Sequence, residues 1–478
     1  MSTTKSSQPQ TASDALTLPT GWSTLRLLNR YHWFVFVVAA LGWLADCMDQ
    51  QLFNLARVSA ITELVHREVS KGSLADPEIK AAVDARIKDW ASYSTSIFLM
   101  GWATGGIAFG ILGDRWGRVK TMLLTILLYS GFTGLSALSV GVYDFAFYRF
   151  LTGLGVGGEF AVGVALLAET MPAPARPFTL GLLQAFSALG NITAALLFML
   201  AGYLQNQGFF DNFLGLGPVG SWRVLFLVGT LPALIALLVR RQLAEPEAWV
   251  QQKNSLEPGK QLGSYAEMLG TSPWRRHALA GLALAFSGVV GLWAIGFFSV
   301  DLQQYVFRNE PEGDRKFYAG MTSLVLQIGA FCGMFAFSTI TSFTGRRLAF
   351  AVTLVLAASS TALVFLYMQT VTDILWMVPL MGFCQLALFG GYAIYFPELF
   401  PTRLRSTGTS FCYNVGRFVA AIGPVALSML TNQVFVSYRE IDAALPFRYA
   451  GLTMCSVFAI GLVALLFLPE TKGKPLPQ

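Results

Sequence analysis

The sequence places charged residues inside long apolar runs, where lipid or a protein core is expected. Asp46 and Asp49 lie in the first such run, within the stretch GWLADCMDQQLFNLAR. Arg149 and Glu159 share a later run, and Arg417 lies in a run near the end of the chain. An ionisable group at the centre of a membrane helix costs roughly 2.5–3.5 kcal/mol, so such residues mark functional sites by default. The chemistry they indicate is proton exchange and binding of a charged ligand.

Depth along the predicted helices pairs Asp49 with Arg149. If the first run crosses outward, Asp49 lies about 24–27 Å from the inner edge, and Arg149 of the returning fourth run lies about 8–9 Å from the outer edge. In a hydrocarbon core of about 30 Å the two residues share nearly one level. A nearby arginine stabilises an ionised aspartate, and moving it away would let the aspartate take a proton. The alternative is a permanent ion pair that only fixes helix packing.

A polar stripe follows the first run at helical spacing. Asp46 is followed by Gln50, Asn54 and Arg57 at four, eight and eleven residues, so all four lie on one side of a helix. Asp49 lies beside this stripe. The pattern predicts that both aspartates line a water-filled central cavity.

Glu159 is a second candidate for proton exchange. It lies about 15 Å deeper along its helix than Arg149, close to the middle of the bilayer. The surrounding stretch, GVGGEF, also permits close helix contact, so the alternative is a hydrogen-bonded packing residue.

Arg417 is predicted to bind an anion. It lies twelve residues after Arg405, or about 18 Å inward along a helix, and no acid is close to it on the same helix. The planar guanidinium matches a carboxylate, which makes Arg417 a candidate substrate ligand with Tyr413 and Asn414 beside it. The alternative is that an acid on another helix neutralises it.

Composition excludes most other classes of function. Apolar residues make up 54% of the 478 residues and charged residues only 13%, about half the share in soluble domains. The net charge of +6 is concentrated in short loops between apolar runs, which argues against nucleic acid as a partner. Five cysteines and three histidines show no metal-ligand spacing, and no nucleophile–base pair or phosphate loop is visible. We therefore expect no metal, no cofactor and no enzymatic activity.

Twelve apolar segments are long enough to cross a membrane. Their approximate bounds are 31–56, 92–112, 120–140, 143–168, 178–204, 222–240, 277–301, 318–341, 347–367, 373–396, 407–431 and 449–468. Arginines and lysines concentrate in alternate loops, which predicts that those loops and both termini are cytoplasmic. The predicted organisation is a disordered tail at 1–30, a six-helix bundle at 31–240, a cytoplasmic linker at 241–276, a second six-helix bundle at 277–468 and a tail at 469–478.

The two bundles are predicted to be repeats of one unit. GDRWGRVK ends the second segment and SFTGRRLA ends the eighth, which pairs Gly117 with Gly345. AETMPAPARPFTLG follows the fourth segment and PELFPTRLRSTG the tenth, which pairs Pro172 with Pro401. The two pairs are separated by nearly the same interval along the chain, as a duplicated unit requires. Transporters built from two related halves move them about a site near the bilayer midplane.

These motifs resemble the major facilitator superfamily. Its G-D-R-x-G-R signature is matched at Gly113, Asp114, Arg115, Gly117 and Arg118. RFLTGLGVGGE and LPETKG resemble its sugar-porter and organic-acid branches, and DCMD is similar to the D-G-F-D pattern of aromatic-acid and sialic-acid proton symporters, as is NVGRFVAAIGP. The seventh and tenth segments lack the sugar-porter patterns, and Ser342 occupies the position of Asp114 in the second half. The resemblance implies an all-α fold of twelve membrane helices in two six-helix repeats.

The resemblance also implies roles for particular residues. In similar proteins a first-helix aspartate and a fourth-helix arginine couple transport to protons, which assigns that role to Asp49 and Arg149. A glutamine of the fifth helix binds substrate, which implicates Gln184 in LGLLQAFSALGNI. Clusters of charge latch the cytoplasmic gate, with arginines facing the acid that ends the fourth or tenth segment. The gate residues implied here are Asp114, Arg115, Arg118 and Glu169 in the first half, and Arg346, Arg347 and Glu398 in the second.

We predict a proton symporter for a small organic anion, such as a monocarboxylate or an aromatic acid. A proton-coupled sugar or polyol porter is the main alternative, followed by a drug or cation antiporter and by a sensor that does not transport. The expected partners are the anionic substrate, protons and the lipid bilayer of the cell membrane (plasma or inner), and the protein is expected to act as a monomer.

Overall fold

A computed structural model describes most of the chain. The described residues are 21–68, 77–212, 218–232, 242–255, 260–292, 299–310, 312–420, 426–427 and 429–477. Helices dominate these residues, and none of them lies in a β-strand. Nine helical stretches of the described part are long and apolar enough to cross a membrane, the last of them being Leu445–Leu465.

The N-terminal half contains six described helices. They are α1 (Arg30–Glu68), α2 (Pro77–Arg115), α3 (Arg118–Ala137), α4 (Val142–Thr170), α5 (Arg176–Asn206) and α6 (Ser221–Val228). Helix α1 runs about three turns past the end of its predicted segment and α2 begins about four turns before its own, so most of the predicted loop between them is helical. Arg86 and Glu68 form an ion pair between these extensions. Gly21–Leu27 forms a 3-10 helix, contrary to the prediction of a disordered tail throughout 1–30, whereas residues 1–20 lie outside the described part.

Two short helices follow, α7 (Glu247–Asn254) and α8 (Tyr265–Gly270), within the predicted linker. The C-terminal half contains α9 (Trp274–Val290), α10 (Ser299–Val306), α11 (Glu312–Thr344), α12 (Arg346–Tyr367), α13 (Val371–Leu399), α14 (Arg405–Ala420), α15 (Leu445–Met454) and α16 (Val457–Leu465). The predicted segments 222–240, 277–301 and 407–431 each include residues outside the described part, at 233–240, 293–298, 421–425 and 428.

Helices α2 and α4 pack with their backbones in close contact. A Cβ atom added at Gly101 would collide with the carbonyl oxygen of Phe150, and one added at Gly105 would collide with that of Leu154. Only glycine allows this approach, which brings α4 and its charged residues against the centre of the half.

The same contact recurs between α11 and α13. Gly329 and Gly333 face the carbonyl oxygens of Pro379 and Phe383. Along the chain, these two glycines follow Gly101 and Gly105 by the interval that separates Gly117 from Gly345. The two residues whose carbonyls they face follow Phe150 and Leu154 by the interval that separates Pro172 from Pro401. The repeated unit of sequence is therefore also a repeated packing arrangement.

In each half, a glutamate just after the last predicted segment of that half caps one helix, α3 in the first half and α12 in the second. Glu245 accepts hydrogen bonds from Val119 and Lys120 N–H at the start of α3, each at 3.2 Å. Glu470 accepts from Arg346 and Arg347 N–H at the start of α12, at 2.9 and 3.0 Å. Partial burial opposes ionisation of Glu470, but the backbone donors outweigh it and hold the pKa of Glu470 below its ordinary value.

The turns before these two helices need glycine. Gly117 has φ of 125° and Gly345 has φ of 90°, a region that side chains disfavour. A Cβ atom at either position would also collide with the capping carboxylate. The end of the molecule that carries these two turns, together with the turn between α13 and α14, is called the basic end below.

Candidate functional site

A cavity of about 60 Å³ lies between the two halves. Aromatic and amide side chains dominate its wall, and no described residue that lines it is acidic. The lining residues are Trp43, Cys47, Gln50, Gln51, Trp102, Gln184, Ser187 and Asn191 from the N-terminal half, and Leu292, Gln327, Leu386, Phe389, Tyr413 and Arg417 from the C-terminal half.

Four side chains of this wall have a buried polar atom that finds no hydrogen-bond partner among the described residues. The unpartnered donors are Nε1 of Trp43 and Nε of Arg417. The unpartnered acceptors are Oε1 of Gln184 and of Gln327. Buried polar atoms are almost always hydrogen-bonded, so this convergence marks a place where a ligand or water supplies the missing partners.

Arg417 has no acidic partner among the described residues. Its Nη1 donates to Oδ1 of Asn414 at 2.6 Å and to the carbonyl of Tyr413 at 3.5 Å. Its guanidinium carbon lies 4.1 Å from the ring centroid of Trp102 and 4.2 Å from that of Tyr413. Aromatic faces stabilise a cation without neutralising it. The alternative of a direct ion pair with an acid from another helix is therefore not found within the described residues.

The other predicted substrate ligands take different positions. Gln184 and Tyr413 line the cavity, whereas Asn414 does not. Asn414 Nδ2 donates to the carbonyl of Gly157 on α4 at 3.3 Å, while its Oδ1 holds Arg417. The ring of Tyr413 stacks on Phe160 with 4.0 Å between centroids. Asn414 and Tyr413 thus join α14 to α4 beside the cavity.

The prediction that Asp46 and Asp49 line the cavity is wrong. Both are buried, at 1% and 0% exposure, and neither belongs to the cavity wall. The lining face of α1 carries Trp43, Cys47, Gln50 and Gln51. At roughly 100° per residue, Asp46 lies about 85° and Asp49 about 145° from the middle of that face, so Asp49 points into the N-terminal half.

Asp49 and Arg149 lie near each other but are not ion-paired within 4.0 Å, which corrects the predicted pairing. Thr133 donates its hydroxyl to Oδ2 of Asp49 at 2.8 Å. Arg149 donates from Nε and Nη2 to the hydroxyl of Ser136, at 3.0 and 2.6 Å. Oδ1 of Asp49 and Nη1 of Arg149 have no hydrogen-bond partner in the part of the chain that the structure describes. The hydroxyls of Thr133 and Ser136 lie on adjacent turns of α3, so Asp49 and Arg149 are each held by a different side chain of that helix.

Arg149 is enclosed by aromatic rings. Its guanidinium carbon lies 4.8 Å from the ring centroid of Phe226, 5.5 Å from that of Phe53 and 5.9 Å from that of Phe145. This cage supports a buried positive charge where a carboxylate is not in contact. No pattern in the sequence predicted that these three phenylalanines lie together.

Glu159 and Asp46 are two further buried carboxylates, and together with Asp49 they are called the buried acidic group below. Glu159 accepts a hydrogen bond from the hydroxyl of Thr125 at 2.9 Å, and its side chain fits because Gly42 of α1 has no Cβ. Asp46 interacts electrostatically with Glu159, Asp49 and Arg417, and no described residue forms a hydrogen bond with its Oδ1. Asp46 therefore lies between the acids of the N-terminal half and the arginine of the cavity.

At the basic end, hydrogen bonds link the two halves around Glu169 and Asp114. Arg118 donates to both oxygens of Glu169, at 3.0 and 2.9 Å, and Arg405 of the other half donates to Glu169 at 2.6 Å. Asp114 accepts from the backbone N–H groups of Ser406 and Thr407 at 3.1 and 2.8 Å, which caps α14.

Within the described residues, the hydrogen bonds of the corresponding glutamate, Glu398, stay in the C-terminal half, and Arg176 of the N-terminal half interacts with it only electrostatically. Arg346 donates to both oxygens of Glu398, at 3.0 and 2.8 Å, and Thr471 donates to the same carboxylate at 2.5 Å. Ser342, which replaces the signature aspartate, bonds to the carbonyl of Thr339 in its own helix. The two clusters are therefore not equivalent.

Two predicted gate residues do not face their acids. Arg115 donates to the carbonyl of Leu262 in the linker, and Arg347 meets Glu470 through its backbone N–H. Arg346 and Arg347 are neighbours in α12 and point about 100° apart, so only Arg346 reaches Glu398. Arg115 ends α2, before the turn at Gly117, whereas Arg118 begins α3 after it. Sequence reasoning also missed Arg405 as a gate residue, although its position as the last residue of the signature-like PTRLR, at the start of α14, was a usable signal.

Comparisons with known proteins agree with this architecture. The family model of the Major Facilitator Superfamily matches residues 83–424. The cis,cis-muconate transport protein of Acinetobacter baylyi is 29% identical over 94% of this chain and 97% of its own. The niacin transporter NiaP of the same organism is 22% identical over 94% of this chain and 96% of its own. The solved structure of the proton:xylose symporter XylE has a TM-score of 0.71 at 16% identity, covering 93% of this chain and 98% of that chain.

These findings confirm the predicted fold class and the predicted absence of enzymatic activity, because the family and these relatives are transporters. The apolar helices place the chain in a membrane as a multi-pass protein. The matched residues span most of both halves. The protein belongs to the Major Facilitator Superfamily.

Proposed function

We propose that the protein carries a small organic anion together with protons by alternating access, and that Arg417 binds the carboxylate of the substrate. One observation carries the proposal: Arg417 lines a cavity between the halves with an unpartnered Nε and no described acidic partner. An arginine of this kind binds a carboxylate through two parallel hydrogen bonds. A neutral sugar would leave the charge unpaired, and a cationic drug would be repelled by it.

The rest of the wall suits a flat acid with a second polar group. Trp102 and Tyr413 present ring faces beside Arg417, and Trp43 offers a free indole N–H. Gln184 and Gln327 offer amides from opposite halves of the molecule. Muconate and niacin, the compounds named for two relatives, are both small conjugated carboxylic acids, which supports this substrate class.

The proton is proposed to be carried by Asp49, with Arg149 as its partner. Coupling requires a carboxyl group that either pairs with an arginine or binds a proton. Asp49 can do either, because Thr133 holds Asp49 while Ser136 holds Arg149. Asp46 and Glu159 extend the acidic group toward the cavity and are proposed as further proton sites. Binding of an anion at Arg417 would alter the field at Asp46, which is how substrate and proton would sense each other.

The basic end is proposed to be cytoplasmic, with both termini on that side of the cell membrane, because basic loops stay inside. The bonds of Glu169 and Asp114 across the halves then form a closed cytoplasmic gate. Opening it requires that these bonds break together, which suits a transporter with two discrete states.

Uptake into liposomes tests the proposal. The purified protein is reconstituted, and entry of labelled muconate, nicotinate, benzoate and xylose is measured with the interior alkaline and without a pH gradient. We expect accumulation of at least one carboxylate only when the gradient is present, and no accumulation of xylose. Transport of xylose without any carboxylate would contradict the assignment of Arg417, and gradient-independent carboxylate uptake would contradict proton coupling.

A further inference from the structure

Two grooves flank α16 on the outer surface at the basic end. The first lies between α9 and α16 and has a volume of about 570 Å³. Its wall is apolar apart from Arg276, and includes Leu279, Ala283, Ile460, Val463 and Phe467. The second lies between α12 and α16, has a volume of about 410 Å³, and carries Arg347 and Glu470 among apolar residues.

The two grooves differ in charge. The first has no acid among its described lining residues, whereas Glu470 accompanies Arg347 in the second. Arg275, next to Arg276 at the start of α9, is exposed and forms no side-chain hydrogen bond or ion pair with a described residue. The N-terminus of α9 adds a positive partial charge at the same level. The mouth of the first groove is therefore cationic and that of the second is close to neutral.

The guanidinium of Arg276 is fixed at the mouth of the first groove. Its Nε donates to the carbonyl of Phe467 at 2.8 Å, and its carbon lies 5.8 Å from the ring centroid of Phe467. These contacts use one nitrogen and leave both terminal nitrogens without a partner among the described residues. A guanidinium held in this way presents its fork outward, which is the geometry that binds a phosphate.

We propose that the groove between α9 and α16 binds an anionic phospholipid. The phosphate lies on Arg275 and Arg276, and one acyl chain lies along the groove against Leu279, Ile460 and Val463. All three of these side chains are more than 40% exposed, at 53%, 43% and 56%, so the chain has apolar surface to cover. Basic pockets between membrane helices bind anionic head groups by this combination of charge and apolar contact.

Native mass spectrometry of the full-length protein, delipidated in detergent, tests the charge. Dioleoylphosphatidylglycerol (DOPG) is titrated against the zwitterionic dioleoylphosphatidylcholine (DOPC). We expect the parent to prefer DOPG, and the double variant Arg275→Gln/Arg276→Gln to bind it about 25-fold more weakly, since each surface arginine contributes a factor of about five. Arg347→Gln, in the second groove, is the matched control and should keep the preference.

A second variant tests the acyl chain. Ala459→Phe fills the groove while both arginines stay in place, and we expect it to weaken DOPG binding as well. The proposal is overturned if the double variant keeps the parental preference, if the parent binds both lipids equally, or if Ala459→Phe binds DOPG as the parent does. Displacement of DOPG by millimolar inorganic phosphate would also overturn it, because the site would then recognise an anion alone.

Discussion

Each half of the molecule buries an arginine that has no ion pair within the described residues, but the two are held differently. Arg149 in the N-terminal half is fully buried, anchored on Ser136 and enclosed by three phenylalanine rings. Arg417 in the C-terminal half rests on two rings and Asn414, and one side of it faces the cavity. An arginine can therefore pair with and release a buried aspartate in one half, and bind a ligand in the other. The difference between the two roles is whether the unpaired side of the guanidinium faces protein, as in Arg149, or the cavity, as in Arg417.

The largest effect is expected at Arg417. Arg417→Ala should weaken carboxylate binding by about 100-fold, since hydrogen bonds to a charged group contribute roughly 1.5–3 kcal/mol. Arg417→Lys should weaken it by about tenfold, because the charge stays and the two-pronged geometry is lost. Calorimetric titration measures both.

The comparison of the two arginines supplies the control. Arg149→Lys removes the same planar group from a site that does not line the cavity, so it should change affinity far less than Arg417→Lys. Equal losses in the two lysine variants would show that Arg417 has no special role in binding.

The second effect concerns coupling at Asp49. Asp49→Asn keeps the size of the side chain but cannot exchange a proton. With one proton per substrate, a gradient of one pH unit supports about tenfold accumulation of an electrically neutral pair, and the variant should lose it. Exchange of labelled for unlabelled substrate at equal pH should survive, because it needs no net proton movement.

Asp46→Asn is the matched control for this variant. Asp46 lies closer to the cavity and senses Arg417, so its loss should change substrate affinity more than accumulation. If Asp46→Asn abolishes accumulation and Asp49→Asn does not, the mechanism stands with the other acid as the proton carrier.

The third effect separates the two glutamates of the basic end. Glu169 bonds to Arg118 of its own half and to Arg405 of the other, whereas the hydrogen bonds of Glu398 stay within the C-terminal half. Glu169→Gln should therefore make the basic end open more often. A cysteine placed at buried Thr409 reports the opening, and its labelling rate should rise by about fivefold, which corresponds to roughly 1 kcal/mol. Glu398→Gln should raise it less, and equal rates would mean that the bond across the halves contributes nothing to closure.

The smallest effect is expected on α3. Ser136→Ala removes the anchor of Arg149 and lets it stay paired with Asp49, which should slow uptake by about threefold, or roughly 0.7 kcal/mol of barrier. Ser130→Ala is the control on the same helix, because the one hydrogen bond of the Ser130 hydroxyl within the described residues goes to the carbonyl of Ile126. If both variants slow uptake alike, Ser136 has only a packing role.

Residue type and spacing located much of the candidate site. Gln184, Tyr413 and Arg417, predicted from separate segments, line one cavity, and Arg118 and Arg346 reach the predicted glutamates. These positions could be found because polar residues in apolar helices are rare, and because the gate motifs occur once in each half of the sequence repeat. The partners Thr133 and Ser136 were missed because hydroxyls are common in membrane helices and are usually satisfied by their own backbone.

The sequence by itself determined the class of molecule. Long apolar runs, alternate basic loops and motifs that recur at matching positions in both halves require a helical membrane protein of two related units. Tertiary structure alone decided where the charged side chains point. Helix α1 is apolar on several sides, so its sequence cannot set its rotation; close contacts with neighbouring helices do, as when Gly190 of α5 lies against the carbonyl of Leu44. That rotation turns Asp49 toward Thr133 and away from the cavity, and it leaves Arg417 as the charge that a substrate would meet.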